Sequence, residues 1–242
     1  FFSHFDEGVD YLENDGALPG PIQSYEVNKI VITGKQNYSL LLSLKRRNCF
    51  VVSLSQKVDL EGVISIVPDF ASAAQQAVKH LVEQGHRRIA VVADEYFDKT
   101  AYNTKRLIEG CRRGMSTLRT SFQEKDIFFV PYGEKGDQAL QDFLGSGRED
   151  RPTALFCFDD RTAVRVYDNA YALGVRIPED ISVVGCNDDM AARLLKPRLS
   201  TIHFPNRGMG ERAIELLDEN ALKWEHSSAC EVFPVDLRSR DS

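Results

Sequence analysis

The stretch from Arg151 to Ile202 restricts what this chain can fold into more than any other. Two short apolar runs lie within it, Thr153–Phe158 and Ile181–Cys186, each with the composition of a strand covered on both faces of a parallel sheet. Between them Ala163, Val166, Tyr167 and Ala170 recur at helical spacing, and Gly174 stands where a helix ends in a left-handed residue. Strand, helix and strand in that order predict parallel pairing with a right-handed crossover. Both strands run out into polar residues, Asp159-Asp160 after the first and Asn187-Asp188-Asp189 after the second. Open parallel sheets bind ligands beyond the carboxyl ends of their strands, so these tips predict one wall of a cleft.

The rest of the chain repeats the alternation. Strands are expected at 27–33, 49–54, 62–67, 89–93, 127–130 and 232–237. Helices are expected at 1–14, 38–47, 70–84, 104–118, 136–144 and 208–220, with the breaker cluster ALPGP at 17–21. The helix from Phe70 places Ala74, Ala77, Val78, Leu81 and Val82 on one face and stops at Gly85. Alternation of this kind argues an α/β chain with parallel sheets. At 242 residues the chain can form one large core or two lobes of about 100–150 residues each.

Several function classes are excluded on composition and spacing. Net charge is −6, and Arg46-Arg47, Arg87-Arg88 and Arg112-Arg113 are scattered pairs, not a basic track, so this region is not expected to grip DNA by itself. No apolar run reaches the 18 or so residues of a membrane span, and FFSHFDEGVDYLEND lacks the form of a signal peptide. The five cysteines show no CxxC pair or metal spacing and read as structural thiols of a reducing compartment, which predicts a cytoplasmic protein. The five histidines are dispersed, with no HExxH or GxSxG, and Gly208-Met209-Gly210 is a lone GxG at a helix start. No enzyme chemistry, cofactor or metal site is called for.

Four segments in order, GHRRIAVV (85–92), PTALFCFDDRTAV (152–164), GVRIPEDISVVGCNDD (174–189) and PRLSTI (197–202), resemble the effector-binding domain of LacI/GalR-type transcriptional regulators. The resemblance covers about residues 62–242. It implies a type I periplasmic-binding-protein fold, in which two Rossmann-like lobes with parallel sheets are joined by three crossover strands and a small molecule binds between them. Mapped onto this chain, the first lobe would hold 1–87 with 204–226 and the second 88–203 with 227–242. Crossovers would fall near His86–Arg88, Thr201–Phe204 and Ser227–Cys230. It further implies a homodimer, a small-molecule effector of sugar type, no membrane, and operator DNA contacted through a DNA-binding domain upstream of this region. An extracytoplasmic solute-binding protein of a transporter is the alternative on the same fold. The unpaired cysteines and the wording of GHRRIA and PEDISVVG favour the regulator. The strand that the family places before the aromatic pair is missing, and only 27 residues separate Phe2 from Ile30, so residues of the family pattern are expected to be missing at both places.

The resemblance also singles out residues. Asp159 and Asn187 correspond to an amide and a carboxylate in the family, swapped here; an acid and an amide together suit bidentate hydrogen bonding to hydroxyls. The plainer role of Asp159 is an N-cap, and the same pair of roles is open to Asp69 at the start of its helix. Phe1 and Phe2 match the family's aromatic pair, either a stacking floor for a sugar or purine ring or core aromatics. Arg106 stands four residues before Gly110 where the family's ligand-gripping arginine stands three before. Tyr132 is a wall residue, and the loop from Asp94 to Thr104 is expected at the cleft mouth. Asp188 is expected to orient its neighbours.

Overall fold

The structure, a computed structural model, describes residues 18, 20–24, 26–34, 38–95, 97–117, 122, 127–145, 151–219 and 229–242. The expected helix at 1–14, with Phe1 and Phe2, lies outside the described residues. The chain divides into two compact units, Phe1–Pro68 with Pro205–Phe233 and Asp69–Phe204 with Pro234–Ser242.

The first unit is built on a parallel sheet in the order β1 (Lys29–Thr33), β2 (Phe50–Leu54), β3 (Val63–Pro68), β9 (Ala229–Phe233). Side chains alternate across such a sheet, and the sequence supplies an apolar residue to both faces. Val51 and Val63 face one way, joining Leu41 and Leu44 of α2 (Tyr38–Arg46) and Leu18 beyond the single turn α1 (Gly20–Gln23). Val52, Ile64 and Ile66 face the other, against Met209, Ala213, Leu216 and Leu217 of α8 (Asn206–Glu219). This covering explains why all six residues of β3 are buried.

The second unit carries a sheet in the order β10, β8, β7, β6, β4, β5. Its strands are β4 (Ile89–Asp94), β5 (Ile127–Val130), β6 (Ala154–Cys157), β7 (Ser182–Asn187), β8 (Ser200–His203) and β10 (Asp236–Arg238). All neighbours pair in parallel except β10, which runs antiparallel to β8 at the edge. Helices α5 (Glu134–Gly145), α6 (Asp160–Ala172) and α7 (Met190–Leu194) contribute Leu140, Leu144, Val166, Tyr167, Ala170 and Ala192 to one core with Val92, Leu155, Ile181 and Val183. Helices α3 (Phe70–Glu83) and α4 (Tyr102–Gly114) lie against each other without side chains between them at Gly110, where a Cβ would stand 2.1 Å from the Ala71 carbonyl oxygen. The predicted stop at Gly174 is met, with φ +68° after α6.

The boundaries depart from the sequence reading in three places. The helix from Phe70 belongs to the second unit, because its small residues pack on α4, so the first break falls at Pro68–Asp69 and not near His86–Arg88. His86 instead lies in the second unit, its ring nitrogens 3.0 Å from Thr153 Oγ1 and 3.1 Å from Ser182 Oγ. The strand expected at 232–237 is two strands: β9 pairs with β3 in the first unit, and β10 pairs with β8 in the second. Pro234 stands between them, a residue with no N–H to give to a ladder. Finally, Ser200–His203 is a paired strand where only a crossover was expected nearby.

Candidate functional site

Five strands of the second unit run parallel, so their carboxyl ends share one edge of the sheet. Asp94 lies beside Val130 and Asn187 beside His203. Val92 pairs with Cys157 and Phe156 with Val184, and continuing both registers brings Asp159 level with Asp94 on one side and Asn187 on the other. Tyr132 follows two residues after β5. The strand tips therefore present, in order, Tyr132, Asp94, Asp159, Asn187 and His203.

Asp159 has both carboxylate oxygens engaged. Oδ1 accepts the Thr162 backbone N–H at 2.7 Å and caps α6, while Oδ2 accepts Arg161 Nε at 3.2 Å and Nη2 at 3.1 Å. Burial pulls the Arg161 guanidinium pKa down, yet the Asp159 carboxylate, with Asp94 and Tyr132 adding to it, outweighs burial and raises it. The phenol of Tyr132, half-exposed, is held above its ordinary range first by burial and then by Asp94, against the pull of Arg161. Its backbone N–H donates to Glu95 Oε1 at 2.8 Å. Tyr132, Asp94, Glu95, Asp159 and Arg161 thus form one electrostatic group. The following loop adds Phe97, edge-on to Phe158 at 5.4 Å, and Lys99, whose ammonium sits 4.4 Å from the centre of the Phe129 ring.

The neighbouring acid behaves differently. Asp160 is fully buried, accepting the Asp189 N–H at 2.7 Å and the Thr201 hydroxyl at 2.6 Å. Burial pushes its pKa up to about 6 in spite of these two hydrogen bonds. Gly185 makes room for it, since a Cβ there would stand 2.2 Å from Asp160 Oδ1. Asn187 donates its amide to Asp189 Oδ1 at 2.7 Å. Asp188 faces Arg240, Arg193 and His203, the orienting place expected of it. Burial would raise its pKa, but hydrogen bonds and charge from Arg240 and Arg193 together lower it.

The remaining candidates stand apart from this group in their contacts. Asp69 caps α3, accepting the Ser72 N–H at 3.0 Å. Arg106 is bound on its own helix to Glu109, which also takes Arg113. Sequence reasoning passed over Arg161, whose charge follows the cap residue it binds, and named Asp160 only as a polar strand tip, since its pairing to Thr201 is what distinguishes it from the acid before it. Cys49, Cys111, Cys157 and Cys186 are buried and Cys230 is exposed. Among the described residues, no three His, Cys, Asp or Glu side chains gather as a metal site, and no helix is long and apolar enough to cross a membrane.

Residues 78–242 match the family model described as a periplasmic binding protein-like domain. The chain is similar to the HTH-type transcriptional repressor PurR of Aliivibrio fischeri (strain MJ11), 32% identical over 215 residues, covering 88% of this chain and 63% of that protein. Across the first curated relatives it spans between 52% and 63% of their length. Among solved structures it resembles the transcription regulator CcpA of Lactococcus lactis, with a TM-score of 0.83 at 22% identity, covering 99% of this chain and 86% of that one. It also resembles a complex described as transcriptional regulator CelR with cellobiose, with a TM-score of 0.80 at 21% identity, covering 98% and 71%. The curated relatives are described as transcriptional repressors. The α/β fold with parallel sheets and the matched model together identify the chain as a member of the periplasmic binding protein-like domain family.

Proposed function

We propose that this chain is the small-molecule sensing domain of a transcriptional regulator, and that its effector is a neutral polyhydroxylated compound, most simply a sugar. The observation that carries this reading is the row of polar groups at the strand tips of the second unit. Tyr132, Asp159 and Asn187 are brought to one edge there, with acceptors from Asp94 and Glu95 and a donor from Arg161. Alternating donors and acceptors match hydroxyls, each of which both gives and takes a hydrogen bond. Three carboxylates against one guanidinium disfavour a phosphorylated or polyanionic ligand. A neighbour of the same fold is described with cellobiose.

Asp69, Arg106, Phe1 and Phe2 are carried as further ligand-facing candidates on the family resemblance. Effector binding would bias the regulator between two states and so change operator binding by a DNA-binding domain outside this chain. The protein acts as a homodimer in the cytoplasm. The similarity to repressors favours this reading over a transporter's solute-binding protein. A thermal-shift screen of the chain against neutral mono- and disaccharides, sugar phosphates and purines tests it. A ligand at about 100 times its dissociation constant adds about 2.7 kcal/mol of stability, a shift of several degrees. Stabilisation by neutral sugars is expected. Stabilisation by purines or phosphates alone would overturn the sugar assignment, and no shift from any compound would overturn the sensing site.

A further inference from the structure

The end of β7 is built from two successive left-handed residues, neither of them glycine: Asn187 at φ +120° and Asp188 at φ +58°. Side chains are rarely tolerated in this region of backbone space, and such a conformation persists only where the surroundings over-determine it. The Asp188 side chain is 3% exposed. Its Oδ1 accepts Arg240 Nη2 at 2.5 Å, and its Oδ2 lies 3.3 Å from Arg193 Nη2 and 3.2 Å from His203 Nδ1. Its backbone N–H points to Thr201 Oγ1 at 3.4 Å, and the next N–H, of Asp189, goes to Asp160.

Of these groups Arg240 comes from furthest along the chain and is the most firmly held. Its side chain is 14% exposed, Nη1 donates to the Leu199 carbonyl at 2.7 Å, and its backbone N–H donates to Ser200 Oγ at 2.9 Å. The residues after it are tied down as well. Asp241 pairs with Arg198, and Ser242 Oγ donates to the Val183 carbonyl at 2.6 Å while accepting the Ser200 N–H at 2.8 Å. The segment 239–242 is thus a strap laid across the start of β8 and the body of β7, with Arg240 reaching the tip.

We infer that Arg240 is a positioning residue: its buried pair with Asp188 holds the left-handed turn that aims Asn187 into the proposed ligand site. Arg193 and His203 contribute longer contacts to the other oxygen and do not replace it. This inference rests on the sensing function proposed above, but the turn can be tested without any ligand.

The test uses crystal structures and cellobiose titrations of three variants, Arg240→Met, Arg240→Lys and the double change Asp188→Gly with Arg240→Met. Arg240→Met is expected to lose the left-handed φ at Asn187 and Asp188, and Arg240→Lys to keep it. In the double variant glycine adopts the conformation without strain and leaves no buried carboxylate unpaired, so the turn is expected to return. The double variant also answers if Arg240→Met alone fails to fold. Cellobiose affinity should fall at least about tenfold in Arg240→Met and recover in the double variant. An unchanged turn in folded Arg240→Met, or a double variant that does not regain it, overturns the inference. Cellobiose affinity equal in wild type and Arg240→Met overturns it too. Failure of the wild type to bind cellobiose counts against the choice of sugar above, and the φ angles then decide the positioning role by themselves.

Discussion

Exchanging Asp160 for asparagine separates the charge of a buried carboxyl from its shape. In the folded chain burial raises its pKa to about 6 from an ordinary 3.8. Between those values the folded state holds a proton that the unfolded chain has released, so stability is greatest below the ordinary value and is lost as pH rises through the folded one. A difference of about two units corresponds to about 3 kcal/mol, of which about 2 kcal/mol falls between roughly pH 4 and pH 8. The asparagine can keep its carbonyl toward the Asp189 N–H and give its amide to the Thr201 oxygen, reproducing the protonated acid at every pH. Urea unfolding of both proteins across that range is the assay, and every other titrating group is shared, so the difference isolates Asp160. The variant should gain about 2 kcal/mol on the wild type on going from the acid to the alkaline end. A difference that stays constant with pH, or moves the other way, would refute the assignment of this carboxyl as a buried, proton-holding group.

Gly110→Ala drives a Cβ to 2.1 Å from the Ala71 carbonyl and 2.8 Å from Ala74 Cβ, so α3 and α4 must separate. A loss of about 3 kcal/mol or more is expected in calorimetric melting, and a loss below about 0.5 kcal/mol would show that the helices are not in contact there. Asp69→Ala should cost about 1 kcal/mol through the lost cap, read by denaturant unfolding, with Asp69→Ser recovering most of it. Asp159→Ala should cost a similar amount at the start of α6 and also release Arg161, visible as a lower affinity for any sugar found in the screen. Asn187→Ala should cost about 1 kcal/mol in melting, because alanine tolerates φ +120° less well than asparagine, and weaken sugar binding by about 1–3 kcal/mol, a five- to 150-fold change by titration.

The strand–helix–strand core was legible because β6 and β7 are covered on both faces, which demands unbroken apolar runs that stand out in any sequence. The strand β8 was not legible, since Ser200 and Thr201 are buried polar residues whose hydroxyls are satisfied by Arg240 and Asp160, partners a local pattern does not contain. The same holds for the boundary at Asp69. Ala74 reads as part of an ordinary apolar helix face, and only the glycine of α4 lying on it and on Ala71 assigns the helix to the second unit. At the site, Asp159 and Asn187 were visible as polar residues after apolar strands, but their registers with Asp94 and His203 depend on the sheet order. Asp188 and Arg240 are 52 residues apart, beyond the reach of spacing rules altogether.

Isothermal titration of the chain, and of its Asn187→Ala variant, with the sugar that gives the largest thermal shift tests the central claim most directly. The account predicts saturable binding at one site per chain in the wild type, reduced about five- to 150-fold in the variant, which still unfolds in one cooperative transition. Equal affinity in the two proteins would place the ligand away from the strand tips of the second unit and contradict the site described above.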